Sequence, residues 1–154
     1  MSTEDIYNYH KVDGRIITAG QPTEAQIRAA AENSIQVVVN LATIDPRYSL
    51  DDEGGLVKSL GMEYHHIPVA WEKPTESDFD AFVSVMNQTV GQRVLIHCAA
   101  NYRVSAFYSL YAMQNLGWTE AQADALRAAL WQQQYPAWDD FIQTMKAKIK
   151  AGQP

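Results

Sequence analysis

Cysteine is all but missing from this chain: there is one, Cys98, in 154 residues. A single thiol excludes an intrachain disulfide framework and any multi-cysteine zinc or iron–sulfur site. Cys98 is therefore either a small buried hydrophobe or a reactive group with no resolving partner in its own chain. Positive charge is also scarce, with 12 Lys and Arg against 18 Asp and Glu and a formal net charge of −6. Such a balance gives no overall field drawing the chain to nucleic acid or anionic membranes, so neither is expected as a partner. Any bound anion must be caught by a local site. No apolar run approaches the ~20 residues of a transmembrane helix. The opening Met1–Asp5 is acidic with no apolar segment behind it, so no secretory signal is read and a cytoplasmic location is expected.

What the chain does have is a core. Hydrophobic residues make up 47% and charged residues 19%, and the length suits one domain over residues 1–154. Residues 15–19 form a short strand closed by Gly20-Gln21-Pro22. Thr23 and Gln26 have capping-box spacing for a helix to Asn33. The run Gln36–Leu41 (QVVVNL) is apolar and β-branched, as in a strand buried on both faces. After a loop containing Asp45-Pro46, a helix over 53–60 is capped by Asp51 or Asp52 and stopped by Gly61. Strand 62–69, a helix from Thr75 and the apolar strand 93–97 (RVLIH) follow. Helices are then predicted over 104–116, 120–133 and 137–150, the last with Pro136 at its opening. Alternating strands and helices predict an α/β fold with a mainly parallel central sheet flanked by helices, whose ligands bind beyond the strands' C-terminal ends.

Cys98 lies at one of those ends. The segment His97-Cys98-Ala99-Ala100-Asn101-Tyr102-Arg103-Val104-Ser105 joins an apolar strand to an apolar helix. A loop there aims backbone N–H groups and a helix N-terminus into one concavity, which binds anions and favours a thiolate, itself an anion. Arg103 adds a planar fork suited to two oxygens of phosphate or sulfate. An arginine opening a helix is electrostatically unfavourable unless an anion compensates it. The candidate phosphate-binding set is Ala99, Ala100, Asn101, Tyr102, Arg103, Val104 and Ser105, with Asn101 the residue suited to a left-handed conformation in a loop without glycine. His97 is expected to orient the loop by hydrogen bonds, and Ser105 could donate to the thiolate. Tyr102 is expected at the rim.

These residues resemble the signature of the cysteine-dependent phosphatases: His-Cys, an intervening loop, then Arg and Ser. Gly20-Gln21-Pro22-Thr23, Val38-Val39-Asn40-Leu41, Gly61 with Tyr64 and Ile67-Pro68-Val69 extend the likeness to a bacterial group of small dual-specificity-phosphatase-like proteins, some fused to β-lactamase-like hydrolases. It covers roughly residues 13–116, leaving the helices of 117–150 outside. The resemblance implies a phosphatase-type fold, Cys98 as nucleophile, Arg103 as phosphate clamp, and an acidic residue to protonate the leaving oxygen. For that role Glu72 is favoured. Asp45, Asp78 and Asp80 are alternatives, Asp78 having a competing place in the first turn after Thr75. The implied partner is a phosphorylated small molecule or protein, with inorganic phosphate or sulfate at the loop, and no metal or organic cofactor is required.

The loop departs from that pattern. Four residues separate Cys98 from Arg103, where the phosphatases have five; four is the spacing of rhodanese-type sulfurtransferases. A persulfide carrier on Cys98, or a module that binds phosphate or sulfate without turnover, therefore stays open beside the phosphatase reading. Elsewhere the expectations are plainer. His65 and His66 adjoin on a strand and face opposite ways, so they do not form a metal pair. Trp118, Trp131, Tyr135, Trp138 and Phe141 read as core or as a surface shared with a second copy. Asp51-Asp52-Glu53 reads as a solvated helix start, and Lys146, Lys148 and Lys150 as favourable charge at a helix C-terminus.

Overall fold

The computed structural model describes residues 3–152. Met1, Ser2, Gln153 and Pro154, with the part of the opening acidic segment they contain, lie outside the described residues. The strands are β1 (His10–Lys11), β2 (Ile16–Ala19), β3 (Val37–Asn40), β4 (Glu63–His66) and β5 (Val94–His97). They form one sheet in the order β1-β2-β5-β3-β4. All neighbours are parallel except the edge pair β1–β2, in which His10 faces Thr18. The helices are α1 (Glu24–Glu32), α2 (Glu53–Ser59), α3 (Glu76–Gln88), α4 (Tyr102–Asn115), α5 (Glu120–Ala128) and α6 (Pro136–Ala151). The α/β expectation holds; the antiparallel edge strand β1 was not foreseen.

Two apolar layers follow from the period-2 alternation of strands buried on both faces. Ile16, Val37, Val39, Val94 and Ile96 pack with α3, α4, α5 and α6, where Phe79, Phe82, Phe107 and Trp138 are fully buried. Each such side chain contributes roughly 1.5–3 kcal/mol by leaving water. Ile17, Ala19, Val38 and Leu95 face the opposite layer, with Ile27 and Ala30 of α1 and Val57 of α2. The same alternation turns Asn40 and His97 toward α2 and sends Cys98 into the other layer.

Local signals set most helix ends. Thr23 and Gln26 make the reciprocal capping box of α1, Asp52 accepts from Gly55 N at the start of α2, and Gly61 follows α2 with φ +83°. Several boundaries differ from expectation. β4 ends at His66, although Ile67 N and Val69 N still donate to Asn40 O and Leu41 O. Helix α4 begins at Tyr102, two residues early, which places Arg103 in its first turn. Helix α5 stops at Ala128 rather than Gln133. The lysines of α6 are engaged individually: Lys148 pairs with Glu76 at 2.5 Å, Lys150 with Glu120, and buried Lys146 with both Glu120 and Asp124. Among the described residues no helix is long and apolar enough to cross a membrane.

Candidate active site

Residues 98–101 turn sharply from β5 into α4, and the turn is braced from outside. Ala99 O accepts from Gln21 N at 3.0 Å, and Ala100 O from the Asn8 amide at 2.9 Å. Both carbonyls are thereby directed onto the neighbouring segments. Asn101 adopts the left-handed conformation, φ 69° and ψ 6°, as its residue type predicts. Its buried amide donates to Asn8 O at 2.9 Å and Thr18 Oγ1 at 3.0 Å, so it forms no side-chain cap on α4. The N–H groups that open α4 are thus left for another acceptor. Gly20 is required beside the turn: a Cβ there would lie 2.6 Å from Ala99 O.

Arg103 sits in that first turn and is only 7% exposed. Its Nε and Nη1 are buried and have no hydrogen-bond partner, an expensive state for a guanidinium. An aromatic ring lies beside it, with the guanidinium carbon 5.7 Å from the Trp71 ring centroid. A cleft of about 220 Å³ is lined by Cys98, Ala99, Ala100, Tyr102, Arg103, Trp71 and Tyr135. Trp71 and Arg103 also wall a second cleft of about 240 Å³, with Asp45, Arg47, Tyr48 and Glu72 among its lining. The aromatic wall is built by tertiary contacts. Trp138 Nε1 donates to Trp71 O at 2.8 Å, Tyr135 meets Trp71 edge-on at 4.9 Å, and Trp131 stacks on Tyr102 at 5.1 Å. The C-terminal region, through α6 and the segment that joins it to α5, thus completes the site as well as the core.

Of the acidic candidates, Glu72 and Asp45 reach the second cleft, and Asp78 and Asp80 line neither. Hydrogen bonds from Arg47 hold the Asp45 carboxyl down at about 2, so it stands as a committed ion pair at 2.5 Å. Glu72 is exposed and has no such partner. Val104 turns its side chain into the core and offers the cleft no more than its N–H. The Ser105 hydroxyl donates to Asn101 O at 2.8 Å and accepts from Trp131 Nε1 at 2.9 Å, so it ties α4 to the C-terminal region. His65 and His66 bond apart, to Glu63 and to Ala42 O.

One residue escaped the sequence reading. Glu53 is not a solvated helix start: it is buried, and its Oε2 lies 2.6 Å from His97 Nε2. Its Oε1 accepts from Gln21 at 2.8 Å. Burial works to raise the Glu53 carboxyl, but the hydrogen bonds and charge of its neighbours, His97 foremost, outweigh it and hold the group below its ordinary value. The nearest sequence signal is its place in the first turn of α2, which says nothing of a partner 44 residues away.

No family model matches the chain. Over 102 residues, 64% of the chain, it is 28% identical to the β-lactamase hydrolase-like protein of Xylella fastidiosa; the chain spans 23% of the length of that relative. A DUF442 phosphatase-like protein of Shewanella putrefaciens is 34% identical, with 95% of each chain covered and a TM-score of 0.84. The chain belongs to this DUF442 phosphatase-like family. The wider fold is shared with protein-tyrosine-phosphatase-like enzymes. The active form of Tk-PTP aligns over 92% of this DUF442 chain and 97% of its own, at 20% identity and TM-score 0.75. PTPMT1, solved in complex with PI(5)P, aligns over 94% and 97% at 18% identity and TM-score 0.75. Residues 117–152, outside the resemblance seen in the sequence, are needed to reach such coverage.

Proposed function

We propose that this DUF442 protein is a cysteine-dependent phosphomonoesterase acting on a phosphorylated small molecule or protein in the cytoplasm, with its whole activity in the single domain 1–154. The carrying observation is the buried Arg103, whose Nε and Nη1 lack partners beside Cys98. Phosphate oxygens satisfy those donors together with the N–H groups of residues 99–104. The Cys98 sulfur attacks phosphorus as the bond to the leaving oxygen breaks, and Glu72 supplies the proton to that oxygen. Water then attacks the phosphocysteine, Glu72 takes back a proton, and inorganic phosphate leaves with the thiolate restored. All groups in this cycle belong to the chain, the substrate or water. The test is hydrolysis of p-nitrophenyl phosphate by the wild type, inhibited by vanadate and abolished in Cys98→Ser. Folded protein with no vanadate-sensitive turnover between pH 5 and 8 would sink the reading.

The four-residue spacing from Cys98 to Arg103 favours one competitor, a sulfurtransferase carrying a persulfide on Cys98. Here the thiolate attacks the outer sulfur of thiosulfate and sulfite leaves; cyanide then takes the sulfur as thiocyanate. Thiocyanate formation together with a one-sulfur mass gain on Cys98 would support it. If neither reaction runs but phosphate raises the melting temperature in an Arg103-dependent way, the loop is a binding module.

A further inference from the structure

Behind the Cys98 loop, on the face of the sheet away from the cleft, Glu53 and His97 form a buried pair that the proposed cycle does not use. Both are more than nine-tenths buried. A buried ion pair is weak support for stability, because its desolvation costs about as much as its attraction returns. What this one does is geometric. His97 Nε2 faces the Glu53 carboxylate at 2.6 Å and Nδ1 faces the Cys98 carbonyl at 3.3 Å. An ionised carboxylate can only accept, so Nε2 donates to Glu53, and this fixes the ring against the loop carbonyl. Two further titratable groups, His66 and Tyr64, also bear on Glu53. The His66 ring is engaged with Ala42 O at 2.6 Å, and Tyr64 accepts from Asn40 at 3.1 Å. Gln21 holds the second carboxylate oxygen and also, through its backbone N–H, the Ala99 carbonyl. One buried carboxylate therefore touches the reactive loop by two routes, through His97 to Cys98 and through Gln21 to Ala99.

We propose that Glu53 is a positioning residue for the Cys98 loop, fixing the His97 ring and the Gln21 side chain so that the peptides on either side of the thiol hold their direction. The proposal rests on the reading that this loop is the active site, but its test does not need the substrate. In the wild type, ring nitrogen NMR of His97 is expected to show the proton on Nε2 held in the hydrogen bond to Glu53; a bare Nε2 overturns the proposal, whether or not any variant folds. In folded Glu53→Gln, iodoacetamide should label Cys98 about tenfold more slowly, the weight of one charge-assisted hydrogen bond, and Glu53→Asp should recover part of the loss. With p-nitrophenyl phosphate the defect should fall on kcat with KM nearly unchanged. Wild-type labelling in folded Glu53→Gln refutes the role. If the wild type shows no vanadate-sensitive turnover, the phosphatase reading fails, while labelling and NMR still decide the role of Glu53.

Discussion

The guanidinium of Arg103 lies over the ring of Trp71, 5.7 Å from its centroid, where an arginine of a structural ion pair would meet a carboxylate. An aromatic face holds a cation in place without consuming its hydrogen-bond donors. Arg103 is thus both fixed and unspent. Arg103→Lys keeps the charge but loses the planar fork, and should weaken inorganic phosphate binding by about 10–100-fold, the range for hydrogen bonds to a charged group. Calorimetric titration checks this; unchanged affinity would mean that the fork is not aimed at the anion.

Glu72 and Asp45 share one cleft, and only Glu72 is proposed as the acid. Glu72→Gln should slow hydrolysis of an alkyl phosphate far more than of p-nitrophenyl phosphate, since nitrophenolate leaves without a proton. Asp45→Asn should change the ratio little, because Asp45 is already bound to Arg47. Comparing the two substrates on the two variants decides, and an equal loss on both substrates for Glu72→Gln removes it as the acid.

Acid stability should be written in the α5–α6 contact. Lys150 and Lys146 hold Glu120 at about 2, below its ordinary value of 4.5. A depressed carboxyl stabilises the fold above its unfolded value, and that stabilisation is lost as pH falls from there to the folded value. Glu120→Gln should therefore lower the melting temperature at pH 6, with the gap to wild type closing by pH 2–2.5. A gap that stays constant with pH would contradict the linkage.

The left-handed Asn101 makes a sharper stability prediction. Asn101→Ala loses two hydrogen bonds, to Asn8 and Thr18, and strains the backbone, for a cost of about 2–4 kcal/mol. Asn101→Gly loses the same bonds but not the conformation, and should be about 1–2 kcal/mol less damaging. Urea midpoints at constant m-value compare the two. Alanine milder than glycine would refute the account.

What the sequence disclosed is what local chemistry controls. The capping box of Thr23 and Gln26, the stop at Gly61 and the left-handed Asn101 each depend on a few neighbouring residues. The same holds for the anion loop, which lies within nine consecutive residues. Glu53 looked like a solvated acid because its charge is legible and its partner His97 is not. The overlong reading of α5 has a related cause. The glutamines 132–134 are good helix formers, but Trp131 is drawn away to bond Ser105, and tertiary contact overrides propensity. The two-residue β1 has too little length to show any period.

Gly20 N donates to Tyr7 O at 2.7 Å, and across the same corner Asn101 donates to Asn8 O while the Asn8 amide donates to Ala100 O. Tyr7 and Asn8, ahead of β1, are therefore a wedge set behind the pocket wall. A fragment beginning at residue 13, where the likeness legible in the sequence starts, would keep the four parallel strands but lose buried Ile6 and these braces, and should let the Cys98 turn relax. The support of the Cys98 turn thus begins outside the stretch in which the loop's signature is legible.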